Sequence, residues 1–191
     1  MTPESDSEFF QEGLRSYMDA MLALRQFRQE VQKKAEIVLS RNLGELGQAL
    51  GISLEFASQS AFVNPANPSR FEGTWSCIAT NLIMPNIEPI FSTVLFGLSW
   101  EEQDGEIVLV VFGGFYFIKA KDRNRASQVF GQNSGLKVDA DGFYLKEGLT
   151  PEEAGSFETK LNNIIKNWIG LWRRVGGLNA VVSEPNYQPP Q

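Results

Sequence analysis

Between Ile107 and Ile118 the chain reads IVLVVFGGFYFI, and this run limits the fold more than any other stretch. Read as a strand, it alternates two faces that are both apolar. Ile107, Leu109, Val111, Phe115 and Phe117 lie on one, and Val108, Val110, Phe112, Tyr116 and Ile118 on the other. A strand apolar on both faces belongs in the middle of a sheet. As a helix the run is too short to cross a bilayer. Gly113 and Gly114 interrupt it, one on each face, and glycines inside strands mark bulges, bends or close backbone approach. The expected role is curvature around a packed helix. The sharper reading is a curved sheet enclosing an apolar pocket, with Gly113, Gly114 and Tyr116 among its ligand-binding residues. A phosphate cradle would need the glycines in a loop that opens a helix, which the flanking strand formers argue against.

Period-two patterns surround this run. Ile52, Leu54 and Phe56 alternate with polar neighbours, as do residues 71–80. Residues 91–100 form the next strand, and the turn EEQDGE with Asp104-Gly105 leads back into the apolar run. A short helix is expected over 122–131 and a short strand over 143–146.

Helical periodicity marks both ends. Over residues 5–39, Phe10, Leu14, Tyr17, Met21, Leu24, Val31, Ala35 and Val38 step by fours and threes, with Arg28 filling one gap. That is a heptad-like seam, widened by Met18, Leu22 and Phe27. A helix of this length exceeds what a small domain needs, so part of it is expected to project or to pair with another chain. NLGELGQALG, residues 42–51, reads as a second, short helix capped by Asn42 and Glu45 and weakened by Gly44 and Gly47. Thr150, Pro151 and Glu153 open the last helix, whose seam runs Phe157, Leu161, Ile164, Trp168, Leu171 and Val175 to Gly176-Gly177.

The pattern predicts an α+β fold, an antiparallel sheet of about five strands flanked by a long N-terminal helix and a long C-terminal helix. One domain over 1–182 is expected: a helical segment 1–50, a sheet over 51–147, a helix over 150–176, and a flexible tail over 183–191.

Composition narrows the chemistry. The chain has no histidine and one cysteine, Cys77. Ser-His-Asp and Cys-His nucleophiles, His general bases and ordinary zinc sites are thereby removed. A metal would need carboxylates alone, and KVDADGFYLKEG fails as a calcium loop, with Lys137 and Gly148 at ligand positions. No metal, cofactor or catalytic residue is assigned. A single cysteine forms no internal disulfide, and MTPESDSEFF lacks the basic start and apolar centre of a signal peptide, so a cytoplasmic location is expected.

The net charge of −6 is unevenly spread. Residues 51–118 carry seven acids and only Arg70, whereas residues 119–135 carry four bases and one acid. Lys119, Lys121, Arg123 and Arg125 recur every second residue, so an extended chain would align them as a site for a small anion. A solvated strand edge is the plainer reading. Glu101 and Glu102 crowd the acidic hairpin and offer a docking patch for a basic partner. The acidic average argues against nucleic acid, and no membrane association is expected.

Two functions follow as expectations. The first is a non-catalytic acidic cytoplasmic interaction module of the adaptor, chaperone or inhibitor type, with a protein partner or self-association through Tyr17, Met21, Leu24 and Trp172; the stripe of Trp168 and Trp172 is expected to be core, with any exposed part of it a contact surface. The alternative is a small-molecule binder or His-independent enzyme, with an apolar pocket over the sheet and an anion site at 119–125.

Overall fold

The computed structural model describes residues 3–57, 77–85, 87–131, 135–138 and 141–182. Helix α1 spans Pro3–Leu50, α2 Ala120–Phe130 and α3 Phe157–Val175. Strands β1 Glu55–Phe56, β2 Cys77–Ile83, β3 Phe91–Gln103, β4 Glu106–Phe117, β5 Lys137–Val138 and β6 Gly142–Leu149 form one sheet in the order β1-β2-β3-β4-β6-β5. Every pairing is antiparallel. The α+β architecture with long terminal helices is as the sequence pattern predicts, with six strands among the described residues rather than about five. The first half of the expected strand over 71–80 lies outside the described residues, as does the tail over 183–191; β2 runs on to Ile83.

The two-sided apolar run is β4, flanked by β3 and β6. Its hairpin with β3 closes on Asp104 and Gly105, both at positive φ (55° and 83°). Such a pair of left-handed residues matches the twist of the strands it joins. The glycine pair is in regular register, Gly113 opposite Phe96 and Leu145, and Gly114 opposite Leu95 and Tyr144. The irregularity in the β3–β4 ladder lies between Phe91 and Thr93 instead. Gly113 and Gly114 therefore make room and leave the strand pairing unbroken.

The expected break between helix 5–39 and a second helix at 42–51 is absent, because α1 runs unbroken to Leu50. Asn42 is a buried mid-helix residue. Its Nδ2 donates to the Val38 carbonyl (2.8 Å) and to Asn162 Oδ1 (3.0 Å). Gly44 and Gly47 each cost helix about 1 kcal/mol relative to Ala, yet Leu46, Ala49 and Leu50 are buried in the core and hold the turn in place. At Gly47 a Cβ would fall 2.7 Å from the Ile52 carbonyl oxygen, so the chain can fold back only over a glycine. Gly51, at φ 80°, ends the helix.

Helix α3 runs parallel to α1. Lys34 pairs with Glu158 (3.0 Å), Asn42 with Asn162, and Glu45 with Lys166 (3.1 Å), in the same order along both helices. Residues 151–156 form a 3-10 turn before α3, with the Thr150 N–H donating to Glu153 Oε2 (3.3 Å). The seam from Phe157 to Leu171 is buried as its spacing predicts.

Because α1 and α3 pack on each other, they share one face of the sheet. The buried apolar residues of all three helices belong to one cluster with Val111, Phe115 and Phe117 of β4. On the opposite face Ala79, Leu95 and Phe112 form a smaller cluster of their own. The two long helices thus do not cover the two faces of β4 in turn.

Candidate interaction surface

The core takes hold of α1 only from Val31 onward. Val31, Ala35, Val38, Leu39, Leu46, Ala49 and Leu50 are buried, with Asn42 among them. Toward the N-terminus the same stripe stays in solvent. Phe10 is 67% exposed, Leu14 47%, Tyr17 64% and Met21 40%, with Leu24 half-buried. Phe9, Met18, Leu22 and Phe27 widen the apolar surface, each roughly half exposed or more. Residues 3–30 extend over about 40 Å at 1.5 Å per residue.

The local reason is simple. The stripe keeps its period through residue 38, but α3 begins at Phe157, beside Lys34. Residues N-terminal to that point have the apolar face of a packed helix without α3 beside them. Contiguous apolar surface on this scale marks a contact site. Tyr17, Met21 and Leu24, singled out from the seam, all lie on this projecting half.

Trp172 does not. It is fully buried, one turn beyond Trp168, and the two indoles stack with centroids 6.2 Å apart. Phe115 sits edge-on to both, at 4.6 Å from Trp168 and 5.4 Å from Trp172, and Phe130 of α2 closes the cluster 5.0 Å from Trp172. The core reading of this stripe holds and no exposed part of Trp172 is left for a contact role, since the helix face that carries it lies on the sheet. Rings also fill the space beneath Phe115 on this face of the sheet.

Gly113 belongs to the same cluster. A Cβ there would overlap the Phe96 ring and come within 2.9 Å of Ile164 Cγ2. Its carbonyl accepts a hydrogen bond from Trp168 Nε1 at 2.8 Å. Gly114 faces the other way, where a Cβ would come within 3.0 Å of Tyr116 Cε2 and Tyr144 Cβ. Both glycines serve close packing of protein on protein. No spacing rule in the sequence exposes the Trp168–Gly113 bond, because its partners are 55 residues apart.

The basic segment is not extended. From Ala120 it is helix α2, and successive alternate residues on a helix point about 200° apart. Arg123 therefore points away from Lys121 and Arg125, which lie one turn apart on a shared face. Asp122 is buried among them. Arg125 Nε donates to the Ala180 carbonyl at 2.7 Å, tying α2 to the chain after α3, and Lys119 lies 3.6 Å from Glu88. The short helix expected over 122–131 is present as α2, with Ala126 and Phe130 buried, although bases in the first turns run against the helix dipole. The four bases do not converge on one anion.

Glu101 and Glu102 stand in β3, not in the turn. Glu101 is a part-buried ion pair with Lys146 of β6 across the sheet, and Glu102 pairs with Ile107 in the β3–β4 ladder. Glu101 is therefore already engaged within the chain. Among the described residues no three acidic or cysteine side chains gather as metal ligands, and no helix is long and apolar enough to cross a membrane.

No protein-family model matches the chain, and neither does any curated protein or any solved structure.

Proposed function

We infer that this protein is a non-catalytic, cytoplasmic protein-interaction module of the adaptor, chaperone or inhibitor type, with the projecting half of α1 as its docking element. One observation carries the reading: the stripe that is buried from Val31 onward continues exposed through Phe10, Leu14, Tyr17 and Met21. An amphipathic helix is read by its partner through anchors at this spacing. The sheet and α3 then serve as a rigid base that fixes where the helix begins. Absence of histidine and the dispersal of the four bases support a binding role over a catalytic one.

The test compares the whole chain with Tyr17→Glu and Met21→Glu. Light scattering reads self-association, and immobilised protein reads capture of other proteins. The reading requires an association that the native chain makes and both variants lose. A native chain that is strictly monomeric and retains no partner overturns it.

A further inference from the structure

We propose that the partner of the projecting helix is a second copy of this chain, paired antiparallel across a two-fold axis near Asp19. The inference rests on the interaction reading above and names its occupant.

The stripe is self-complementary in that direction. Pairing about Asp19 sets Tyr17 against Met21 of the second copy, Leu14 against Leu24, and Phe10 against Arg28, each contact occurring twice. The last places a guanidinium on an aromatic ring, a favourable contact. On one flank Ala20 meets Ala20 of the second copy, and Phe27 falls over Gly13, which has nothing within 4 Å of where a Cβ would stand. On the other flank Met18 meets its own copy. Small residues on one flank let the helices approach, and large ones fill what remains.

Two observations exclude the parallel alternative. In a parallel pair Arg28 would face its own copy in the seam, like charge against like. The stripe that would face the second copy is also the stripe that α3 and the sheet occupy from Val31 on. Parallel helices would drive both globular bodies into the same space, whereas antiparallel helices hold them at opposite ends. The second copy's helix then takes up the seam where α3 starts, near the Lys34–Glu158 pair.

Phe10, Leu14, Tyr17, Met18, Met21 and Phe27 are each about half exposed and offer on the order of 600 Å² per copy. A pair would bury about 1,200 Å², the lower bound of a specific interface. A dimer of micromolar affinity is expected. Residues 3–30 carry six acids against three arginines, a net negative charge that gives an anionic lipid surface no electrostatic hold.

The experiment is sedimentation velocity on the full chain across micromolar concentrations, with Tyr17→Glu as control. It is paired with oxidative cross-linking of Ala20→Cys and, separately, Phe10→Cys, each in a Cys77→Ser background. Circular dichroism melts verify that each variant is folded. The expected result is a concentration-dependent dimer, weakened about tenfold or more by Tyr17→Glu. Ala20→Cys should cross-link and Phe10→Cys should not. The reverse cross-linking pattern overturns the antiparallel pairing. A chain that stays monomeric overturns the inference, and the interaction reading then survives only if that monomer captures another protein in a Tyr17-dependent way. Tyr17-dependent sedimentation of the monomer with phosphatidylserine-containing vesicles overturns it in favour of a lipid surface.

Discussion

The indole N–H of Trp168 donates to the main-chain carbonyl of Gly113 at 2.8 Å, in a fully buried site between α3 and the central strand. The bond is made because Gly113 has no side chain to hold the helix off. Trp172, one turn later and equally buried, has no hydrogen-bond partner for its Nε1 among the described residues. Its indole packs against the rings of Phe91, Phe115, Phe130 and Trp168.

The two tryptophans should therefore respond differently to Phe. Trp168→Phe loses ring volume and leaves the Gly113 carbonyl short of a donor, for a loss of about 2 to 4 kcal/mol. Trp172→Phe removes a buried donor that had no acceptor, so its loss should be smaller, about 1 to 2 kcal/mol. Urea unfolding of both variants measures the difference, and equal losses would contradict it.

The strand glycines should fail in distinguishable ways. Gly113→Ala overlaps the Phe96 ring, a side chain that another residue can replace, and should cost about 1 to 3 kcal/mol. Adding Phe96→Leu should recover part of that loss. At Gly97 a Cβ would meet backbone, 2.6 Å from Ala79 Cα. Gly97→Ala should therefore cost more, and no single side-chain change on the facing strand should rescue it. Thermal melts of the single and double variants check the pattern.

Helix α1 should divide energetically near Val31. Leu39→Ala and Leu46→Ala, both fully buried, should each cost about 2 to 5 kcal/mol. Tyr17→Ser on the projecting half should change the stability of the folded core by no more than about 0.5 kcal/mol. Denaturant titrations at a concentration low enough to keep the chain monomeric separate folding from association.

Glu153 offers a pH test. A hydrogen bond from Lys160, then the Thr150 N–H and the charge of Lys160, hold its carboxyl below the ordinary Glu value of 4.5. A carboxylate with a lowered folded-state pKa adds stability above the unfolded value and loses it as the pH falls through the folded one. The native chain should exceed Glu153→Gln in stability at neutral pH. The gap should shrink as the pH drops below 4.5. Paired melts across that range measure it, and a gap independent of pH would show that the pair contributes nothing.

The elements themselves were legible where one period runs long. The α3 seam, the double-faced β4 run and the Asp104-Gly105 turn each carry their own signal, and each is where the sequence puts it. Asn42 was misread because a capping pattern is local, while Leu46 and Ala49 are held by a helix more than a hundred residues away. The basic run from Lys119 carried two conflicting signals: its alternation suggests an extended edge, while the short helix expected over 122–131 is the one that forms, with Ala126 and Phe130 buried. Trp172 looked the same as a contact residue and as a core residue, because a helix wheel shows an apolar face without showing what lies on it.

By itself, the sequence determined the fold class, the helical ends, the central strand and the chemistry that a chain without histidine lacks. These depend on side-chain type and period, which are properties of the local chain. Tertiary structure decided which apolar faces are covered. It set α1 and α3 side by side on one face of the sheet and made Gly113 the seat of Trp168. It also left the stripe from Phe10 to Phe27 in solvent, because α3 begins only at Phe157 and nothing in the period of α1 records where its neighbour starts.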